Sequence, residues 1–427
     1  MKHAFQPGPE QAGQLDRDDP LKQFRERFYI NQGQIYMDGN SLGLCSRDAE
    51  AAVLKMLKLW KTEGINLWTA EGGKYFLYPS RLGARMAGLI GAEAEEVTIS
   101  NSTTINIHQG LATFYRPEAG RCKILIDDLN FATDRHAVDS QVRLRGYHPE
   151  EAVKVLVSRD GRTIDEEALI EAMTEEVALV FLPSVLYRSA QLLNLERITA
   201  EAGKRGIIIG WDLCHSIGVV PHDFQKAAPD FAVWCNYKYI SAGPGAIAGL
   251  YVNRRHFGRR PGLAGWHGNV KSSLFQLNHR HEHSPDADGW LTGTQPLLSM
   301  AALEGVLDIF EEAGLDRIRE KSLSQTAYLM FLIEERLVRY GYRIGNPREE
   351  ARRGGHVALE HDQAYRICQA LKARGVIPDF REPDVIRLAP APLYTSYQEL
   401  YELAGILEEI SAQKDFEKYS ETRALVI

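Results

Sequence analysis

The chain has 427 residues, 44% of them apolar and 25% charged, which predicts a globular protein with a large core and two domains. Fifty basic against 57 acidic residues give a net charge of -7, which argues against nucleic acid or an anionic membrane as a partner. Five scattered cysteines, a polar N-terminus and the lack of any run near 20 apolar residues predict a cytoplasmic protein without disulfides or membrane spans.

The N-terminal part of the chain shows one clear helical pattern. Residues 1–19 are polar and look like a mobile arm. Residues 47–60 have the apolar spacing of an amphipathic helix, with Ser46 as its N-cap. We expect Ala51, Leu54, Leu57 and Leu59 on or near its buried face.

Short apolar runs alternate with helical patterns through the middle of the chain. The predicted strands are 97–99, 122–126, 152–157, 177–182, 207–211, 231–234 and 246–252, and the predicted helices are 105–114, 166–173 and 196–204. Strands separated by helices of this length predict right-handed crossovers. The fold class is therefore α/β, a mostly parallel sheet flanked by helices.

The C-terminal part reads as a smaller α+β unit. Its predicted helices are 297–310, 323–340 and 363–374, with a strand at 355–359. We expect a large domain at 61–300 and a small domain formed by 1–60 together with 301–427.

The polar segment around Lys238 separates two apolar stretches, 231–234 and 246–252. Lys238 is thereby placed at a strand end, and the glycines that follow allow close approach of the backbone. Asp212 ends another apolar run, 206–211. A lysine and a carboxylate at the ends of neighbouring buried strands suit pyridoxal phosphate, because the lysine forms a Schiff base and the acid keeps the pyridine nitrogen protonated. Taken singly, each also fits a surface lysine or a capping aspartate.

Other polar residues follow the predicted strands in the same way. Residues 101–104 (Asn-Ser-Thr-Thr) precede a helix, where free amides and hydroxyls bind phosphate or simply cap the helix. Phe131 follows a strand and is able to stack on a flat ring, although a loop phenylalanine is usually part of the core. His215 and Tyr237 lie next to the acid and the lysine, where they are able to contact a cofactor or transfer protons.

A series of short motifs runs along the chain from about residue 25 to 415. In the first half they are Tyr36-Met37-Asp38-Gly39-Asn40-Ser41-Leu42-Gly43, Asn130-Phe131-x-Thr133-Asp134, Asp212-Leu213-x-His215, Tyr237-Lys238-Tyr239 and Gly243-Pro244-Gly245. In the second half they are Gly265-Trp266-x-Gly268, Gly293-Thr294-Gln295-Pro296, Arg353-Gly354-Gly355-His356-Val357, Arg381-Glu382-Pro383, Arg387 and Pro392-Leu393-Tyr394-Thr395. In this order, the motifs resemble those of the kynureninase family.

This resemblance implies a fold-type-I pyridoxal phosphate enzyme, similar to class V aminotransferases, that forms a homodimer with its site at the subunit interface. Catalytic roles are implied for Lys238, Tyr237 and Asp212. Cofactor binding is implied for Thr103, Thr104, Phe131, Thr133, Asp134, Asp212, His215, Tyr237 and Lys238, with Trp266 and Thr294 from the second subunit. Substrate binding is implied for Arg387, which suits an α-carboxylate, and for Asn40, Ser41 and Trp68.

The implied reaction is hydrolysis of the Cβ–Cγ bond of a γ-oxo amino acid. With L-kynurenine as substrate, the products are anthranilate and L-alanine, and the reaction is a step of tryptophan degradation. Trp68 and Thr294 are expected near the aryl ring, and an unsubstituted ring is the preferred substrate.

The sequence departs from the family pattern near the predicted substrate mouth. His267 and Asn269 replace the usual aromatic residue and histidine, and Leu186 and Arg188 flank Tyr187 where other residues are usual. Another acyl-alanine substrate, or β-elimination of the C–S lyase type, therefore stays open. A cysteine desulfurase needs a cysteine on a mobile loop, which the pattern does not offer. An inactive, cofactor-binding regulator has no need of Lys238 together with Asp212 and Arg387.

A histidine-rich segment lies between two of these motifs. His279, His281 and His283 alternate, and would share one side of an extended chain as metal ligands do. A solvated loop that shapes the substrate pocket is the favoured interpretation, with no metal.

Overall fold

The computed structural model describes residues 5–423, whose strands form three sheets. The strands are β1 (Ile35–Tyr36), β2 (Val97–Ile99), β3 (Lys123–Asp127), β4 (Val153–Leu156), β5 (Val177–Pro183), β6 (Ile208–Asp212), β7 (Phe231–Trp234), β8 (Gly249–Val252), β9 (Arg343–Ile344), β10 (Val357–Glu360), β11 (Val376–Ile377), β12 (Asp379–Arg381) and β13 (Val385–Leu388). All seven strands predicted in the middle of the chain are present.

The largest sheet has seven strands in the order β2-β8-β7-β6-β5-β3-β4. The strands from β7 to β4 pair in parallel, whereas β8 pairs antiparallel with both β7 and β2. Strands β5, β6 and β7 are almost wholly buried, which explains why their sequences are continuous apolar runs. The predicted mostly parallel α/β sheet is confirmed, with an antiparallel edge that the apolar pattern did not reveal.

Helices cover both faces of this sheet and build most of the remaining chain. They are α1 (Pro9–Asp18), α2 (Arg47–Glu63), α3 (Ala70–Gly73), α4 (Tyr78–Ile90), α5 (Thr103–Phe114), α6 (Ala132–Leu144), α7 (Pro149–Ala152), α8 (Glu166–Glu171), α9 (Leu195–Lys204), α10 (Phe224–Ala227), α11 (Leu297–Ala313), α12 (Leu315–Arg336), α13 (Ala364–Ala373) and α14 (Tyr397–Ala412). Every helix predicted above is present, although α12 begins at Leu315 rather than at 323.

Helix α2 confirms the predicted N-cap but not the predicted buried face. The Ser46 hydroxyl accepts a hydrogen bond from the backbone N–H of Ala49. The fully buried residues are Ala49 and Met56, whereas Leu54 is 56% exposed. The buried face of α2 is rotated because this helix packs closely on α11. A Cβ atom at Gly305 of α11 would lie 2.3 Å from the carbonyl oxygen of Asp48 in α2.

The small domain has its own sheet and its own core. Strands β12, β13, β10 and β9 form an antiparallel sheet, packed with α12, α13 and α14. Its core also takes in Ile35 and Met37 from the N-terminal segment. Helix α11 instead packs with the core beneath the large sheet. The division at residues 60 and 300 stays a prediction.

The prediction of a mobile N-terminal arm is wrong for the described part of that segment. Residues Pro9–Asp18 form α1, and Ala12 in this helix is fully buried. The Asp16 carboxylate accepts hydrogen bonds from the backbone N–H groups of Tyr397 (2.7 Å) and Gln398 (3.0 Å). Asp16 thus caps the first turn of α14, an arrangement that local sequence cannot reveal. Residues 1–4 of the predicted arm lie outside the described residues.

None of the helices in residues 5–423 is long and apolar enough to cross a membrane. All five cysteines are free thiols.

Candidate functional site

Polar side chains meet in a cavity of about 240 Å³ at the carboxyl ends of the central parallel strands. Ligands of open parallel sheets bind at such an edge. The cavity is lined by Asn40, Ser41, Thr103, Thr104, Phe131, Thr133, Tyr187, Asp212, Cys214, His215, Tyr237, Lys238, Arg381 and Arg387. All of these except Tyr187, Cys214 and Arg381 belong to the predicted site.

Lys238 lies in the cavity just beyond the end of β7, beside a buried histidine. Its Nζ atom is 2.9 Å from Nε2 of His215. Burial lowers the pKa of His215, and the charge of Lys238 lowers it further, so the imidazole is neutral. For Lys238, burial alone would lower the pKa, but the nearby Cys235, Cys214 and Asp212 side chains outweigh burial and raise it. Lys238 is therefore an ammonium that donates to a neutral imidazole.

Two buried carboxyl groups, Asp212 and Asp134, lie near Lys238. Asp212 ends β6, and its Oδ1 accepts a hydrogen bond from the backbone N–H of Cys214 at 2.7 Å. Asp134, in the first turn of α6, is fully buried but does not line the cavity. Burial raises the pKa of Asp134 well above its usual value, and the charges of Asp212 and Asp127 raise it further. Asp134 is thus protonated.

Hydroxyl groups form a cradle where helix α5 begins. Thr103 is the first residue of α5, and its Oγ1 atom is buried with no hydrogen-bond partner among residues 5–423. The Thr104 and Thr133 hydroxyls lie 2.9 Å apart. The helix N-terminus adds free backbone amides and a positive dipole end. This cradle is suited to a phosphate group.

Two aromatic residues of the predicted site, Phe131 and Tyr237, line the cavity. Phe131 is 45% exposed, and its ring meets that of Tyr187 edge-on at 5.5 Å. An exposed aromatic ring is costly in water and available to stack on a planar ligand. Burial raises the pKa of Tyr237, as do the neighbouring Cys235 and Cys214 thiols, so the phenol keeps its proton and is able to donate it.

Arg387, on β13, is buried at the base of the cavity. Its Nε donates to Oδ2 of Asp379 at 2.5 Å, and its Nη2 donates to Oγ of Ser41 at 2.8 Å. Its Nη1 donates to the carbonyl oxygen of Tyr187 at 2.9 Å. The guanidinium is held from three directions, and both Arg387 and Ser41 line the cavity.

The segment that carries Asn40, Ser41 and Gly43 packs directly on the loop that carries Lys238. The backbone N–H of Gly43 donates to the carbonyl oxygen of Tyr237 at 2.8 Å. A Cβ atom at Gly43 would lie 2.4 Å from the carbonyl oxygen of Lys238 and 2.0 Å from Oγ of Ser241. Only glycine permits this contact, which brings Asn40 and Ser41 into the cavity.

Four predicted site residues, Asp134 among them, do not line the cavity of this chain. Trp68 is half-buried in a turn after α2, Trp266 is 40% exposed, and Thr294 is exposed. The segment of Thr294 nevertheless lies beside the phosphate cradle, because Oε1 of Gln295 accepts a hydrogen bond from the backbone N–H of Asn101 at 3.4 Å.

The histidine-rich segment is tied to one of the residues that departs from the family pattern. Asn269 Oδ1 accepts a hydrogen bond from the backbone N–H of Glu282, and its Nδ2 donates to the Trp266 carbonyl oxygen, both at 2.9 Å. The rings of His281 and His283 stack at 6.4 Å. Within residues 5–423 no group of three or more metal-ligating side chains is arranged to hold an ion.

Three lining residues are absent from the predicted site. Cys214 lies within the Asp212-x-x-His215 spacing, and Arg381 begins the Arg381-Glu382-Pro383 motif, so both were visible in the sequence but had no assigned role. Tyr187 was visible only as the residue between Leu186 and Arg188, which depart from the family pattern. It reaches the cavity because the chain after β5 turns back over the sheet, as in the bridge between Val185 and Leu192.

A buried acid beneath the site makes the stability of the protein depend on pH. Burial raises the pKa of Asp127 from 3.8 to about 7. Since the folded state then binds the proton more tightly than the unfolded chain, stability falls as pH rises from about 4 to 7. Asp127→Asn cannot ionise, so between those pH values its stability advantage over the parent should grow by roughly 2–4 kcal/mol. Urea unfolding of the cofactor-free proteins measures this.

The neighbouring Asp128 provides the matched control for that prediction. Its side chain is exposed and its Oδ1 accepts a hydrogen bond from the backbone N–H of Ser158. Asp128→Asn should show no comparable growth of the difference with pH. An Asp127→Asn difference that stays constant across the range would contradict the assignment of Asp127 as the titrating acid.

The architecture is that of fold-type-I pyridoxal phosphate enzymes. It is similar to the cystine C–S lyase C-DES, solved with glycine covalently linked to its cofactor, with a TM-score of 0.79 over 90% of this chain and 99% of that one at 17% identity. It is also similar to a cysteine desulfurase from Thermococcus onnurineus NA1, with a TM-score of 0.77 over 92% and 98% at 16% identity. At these identities the likeness concerns the fold alone.

Sequence comparison gives the family within this fold. The chain is 51% identical to the kynureninase of Geobacillus thermodenitrificans over 99% of both chains, and 50% identical to that of Bacillus cereus over 100% of this chain and 99% of the other. It is 48% identical to the kynureninase of Shouchella clausii over 98% and 97%. Residues 318–407 match the family model described as the kynureninase C-terminal domain. The chain belongs to the kynureninase family.

Proposed function

We propose that this chain is a pyridoxal-phosphate-dependent hydrolase that cleaves the Cβ–Cγ bond of L-kynurenine, giving anthranilate and L-alanine. One molecule of water is consumed: its hydroxyl joins the acyl carbon and a proton joins Cβ. The single observation that supports this most strongly is the cavity in which Lys238, Asp212 and Arg387 meet, in a chain of this family.

The residues present fit pyridoxal phosphate. The unpartnered Thr103 hydroxyl, Thr104 and Thr133 would hold the phosphate at the start of α5. Nδ1 of His215 is also buried without a hydrogen-bond partner in the described chain. Phe131 would stack on the ring, and Asp212 would pair with its nitrogen. Bound there, the cofactor supplies an electron sink that stabilises negative charge at the substrate α-carbon.

The remaining steps belong to side chains of this protein. Lys238 would hold the cofactor and then move the proton at the substrate α-carbon. His215, neutral and 2.9 Å away, accepts from the Lys238 ammonium and keeps it oriented. Tyr237, whose phenol stays protonated, would donate a proton at Cβ as the acyl group leaves.

Arg387 would bind the α-carboxylate of the substrate. A guanidinium suits this task because it offers paired donors in one plane. Ser41, which accepts a hydrogen bond from Arg387, and Asn40 also line the cavity. We propose that the reacting bond then faces Lys238 and Tyr237, and that Trp68 and Thr294 contact the aryl end.

We propose a homodimer with a shared site. Trp266 is 40% exposed, and Phe275 and Leu277 of the neighbouring segment are 68% and 70% exposed. Large apolar side chains grouped on a surface are typical of protein interfaces. Trp266 and Thr294 would then reach the cofactor of the second subunit. The cytoplasmic location stays a prediction.

The reaction class is tested by offering two substrates to the cofactor-loaded protein. L-Kynurenine should yield L-alanine, whereas an S-substituted cysteine, whose thiol would leave on β-elimination, should yield little pyruvate. Pyruvate formed faster than anthranilate would instead assign β-elimination of the C–S lyase type. 3-Hydroxykynurenine, assayed alongside, measures the preference for an unsubstituted ring.

A further inference from the structure

A second arginine faces the cavity beside Arg387. Arg381 ends β12, its side chain is 30% exposed, and it lines the same cavity wall. Its Nε lies 2.9 Å from Oδ2 of Asp379. Its two terminal nitrogens, Nη1 and Nη2, donate no hydrogen bond to residues 5–423, and its Nε, although close to Asp379, donates none either.

Asp379 anchors both guanidinium groups through one oxygen atom. Its Oδ2 accepts from Nε of Arg387 at 2.5 Å and lies beside Nε of Arg381. Asp379 and Arg387 are cross-strand partners in β12 and β13, so the pairing is built into the sheet register. The two arginines therefore enter the cavity from adjacent strands with fixed inner ends.

The two arginines differ in the donors they have free. Arg387 already donates to Asp379, to the Tyr187 carbonyl oxygen and to Ser41. Arg381 approaches Asp379 only as an ion pair, and the four N–H donors on its Nη1 and Nη2 are left by the chemistry of the group for a ligand. An anion entering the cavity therefore finds most of the free donor capacity of this wall on Arg381.

The positive charges of both arginines affect the pKa values of groups around the cavity, which is consistent with Arg381 facing it. After burial and Lys238, the positive charges of Arg387 and Arg381 are among the causes that lower the pKa of His215. Burial and the charge of Asp379 raise the pKa of Asp38 to about 6, and the charges of both arginines partly offset this rise. The charge of Arg381 thus acts across the cavity, on the same groups as that of Arg387.

We propose that Arg381 is a second substrate-binding arginine, which hydrogen-bonds the α-carboxylate of the substrate together with Arg387. This inference rests on the proposed function, because it assumes an amino-acid substrate bound at Lys238. A carboxylate has room for two guanidinium partners, since its two oxygens accept up to about four hydrogen bonds.

The test compares Arg381→Gln and Arg381→Lys with the parent holoenzyme. In Arg381→Gln, KM for L-kynurenine should rise about tenfold, as expected for loss of a charge-assisted hydrogen bond, while kcat changes by less than about threefold. The affinity for L-alanine, measured by the cofactor absorbance change, should fall by about the same factor. Kynuramine, which lacks the carboxylate, should bind both proteins equally. Arg381→Lys should recover part of the loss.

Arg343→Gln is the matched control. Arg343 lies in the same small sheet, its side chain is 51% exposed, and it pairs with Asp362 and Asp384 rather than facing the cavity. It should leave KM and L-alanine affinity unchanged.

Two results would overturn the inference: L-alanine affinity of Arg381→Gln within about twofold of the parent, or an equal loss of kynuramine affinity. The L-alanine measurement is independent of turnover. A parent enzyme that forms no anthranilate therefore contradicts the proposed function without deciding the role of Arg381.

Discussion

Lys238→Ala should lose anthranilate formation by roughly 10⁴-fold or more, the upper end of what one proton-transferring side chain contributes. Two roles are lost together, covalent attachment of the cofactor and proton transfer at the substrate α-carbon. The remaining cavity groups cannot replace it, because His215 is buried and its pKa is held low. The measurement is anthranilate fluorescence, with cofactor content determined on the same samples.

Lys226→Ala is the control for this substitution. Lys226 is an exposed lysine at the end of α10 that pairs with Glu196 at 2.9 Å. It should retain full activity. Lys238→Ala with activity within about a hundredfold of the parent would contradict the assignment of Lys238 as the catalytic lysine.

Asp212→Asn should lower kcat by about 10³-fold, the scale seen when one preorganised electrostatic partner is removed. Asp212 lines the cavity whereas Asp134 does not, and the proposed cofactor nitrogen needs a negative partner to stay protonated. An asparagine keeps the shape and still accepts the Cys214 backbone N–H, so the loss measures charge rather than packing. Steady-state kinetics on L-kynurenine with saturating cofactor gives the ratio.

Asp134→Asn is the control for the Asp212→Asn prediction. Because burial already keeps Asp134 protonated, replacing its carboxyl group with a neutral amide changes no charge. Its kcat should fall by no more than about tenfold. Equal losses in the two variants, or a larger loss at Asp134, would assign the cofactor nitrogen to Asp134 instead.

The sequence revealed the residues at strand ends because their positions depend on local pattern alone. Asp212 ends a continuous apolar run, Lys238 follows another after a short polar segment, and adjacent parallel strands bring such ends together. The fold class follows from the same alternation of strands and helices.

Features that depend on register or on long-range packing were not predictable in this way. The shared oxygen of Asp379 requires β12 and β13 to pair with Asp379 opposite Arg387, which no local pattern specifies. The buried face of α2 is set by its partner α11, so Leu54 is exposed despite its helical spacing. Helix α1 is polar along most of its length and is ordered through Asp16, which caps α14.

The central claim is that this chain hydrolyses the Cβ–Cγ bond of L-kynurenine. The most direct test incubates the cofactor-loaded protein with L-kynurenine and follows anthranilate by fluorescence and L-alanine by amino-acid analysis. Anthranilate and L-alanine should form in equal amounts at about 1 per second or faster. A cofactor spectrum that shifts with L-kynurenine while neither product forms would contradict the account and indicate another γ-oxo amino acid as substrate.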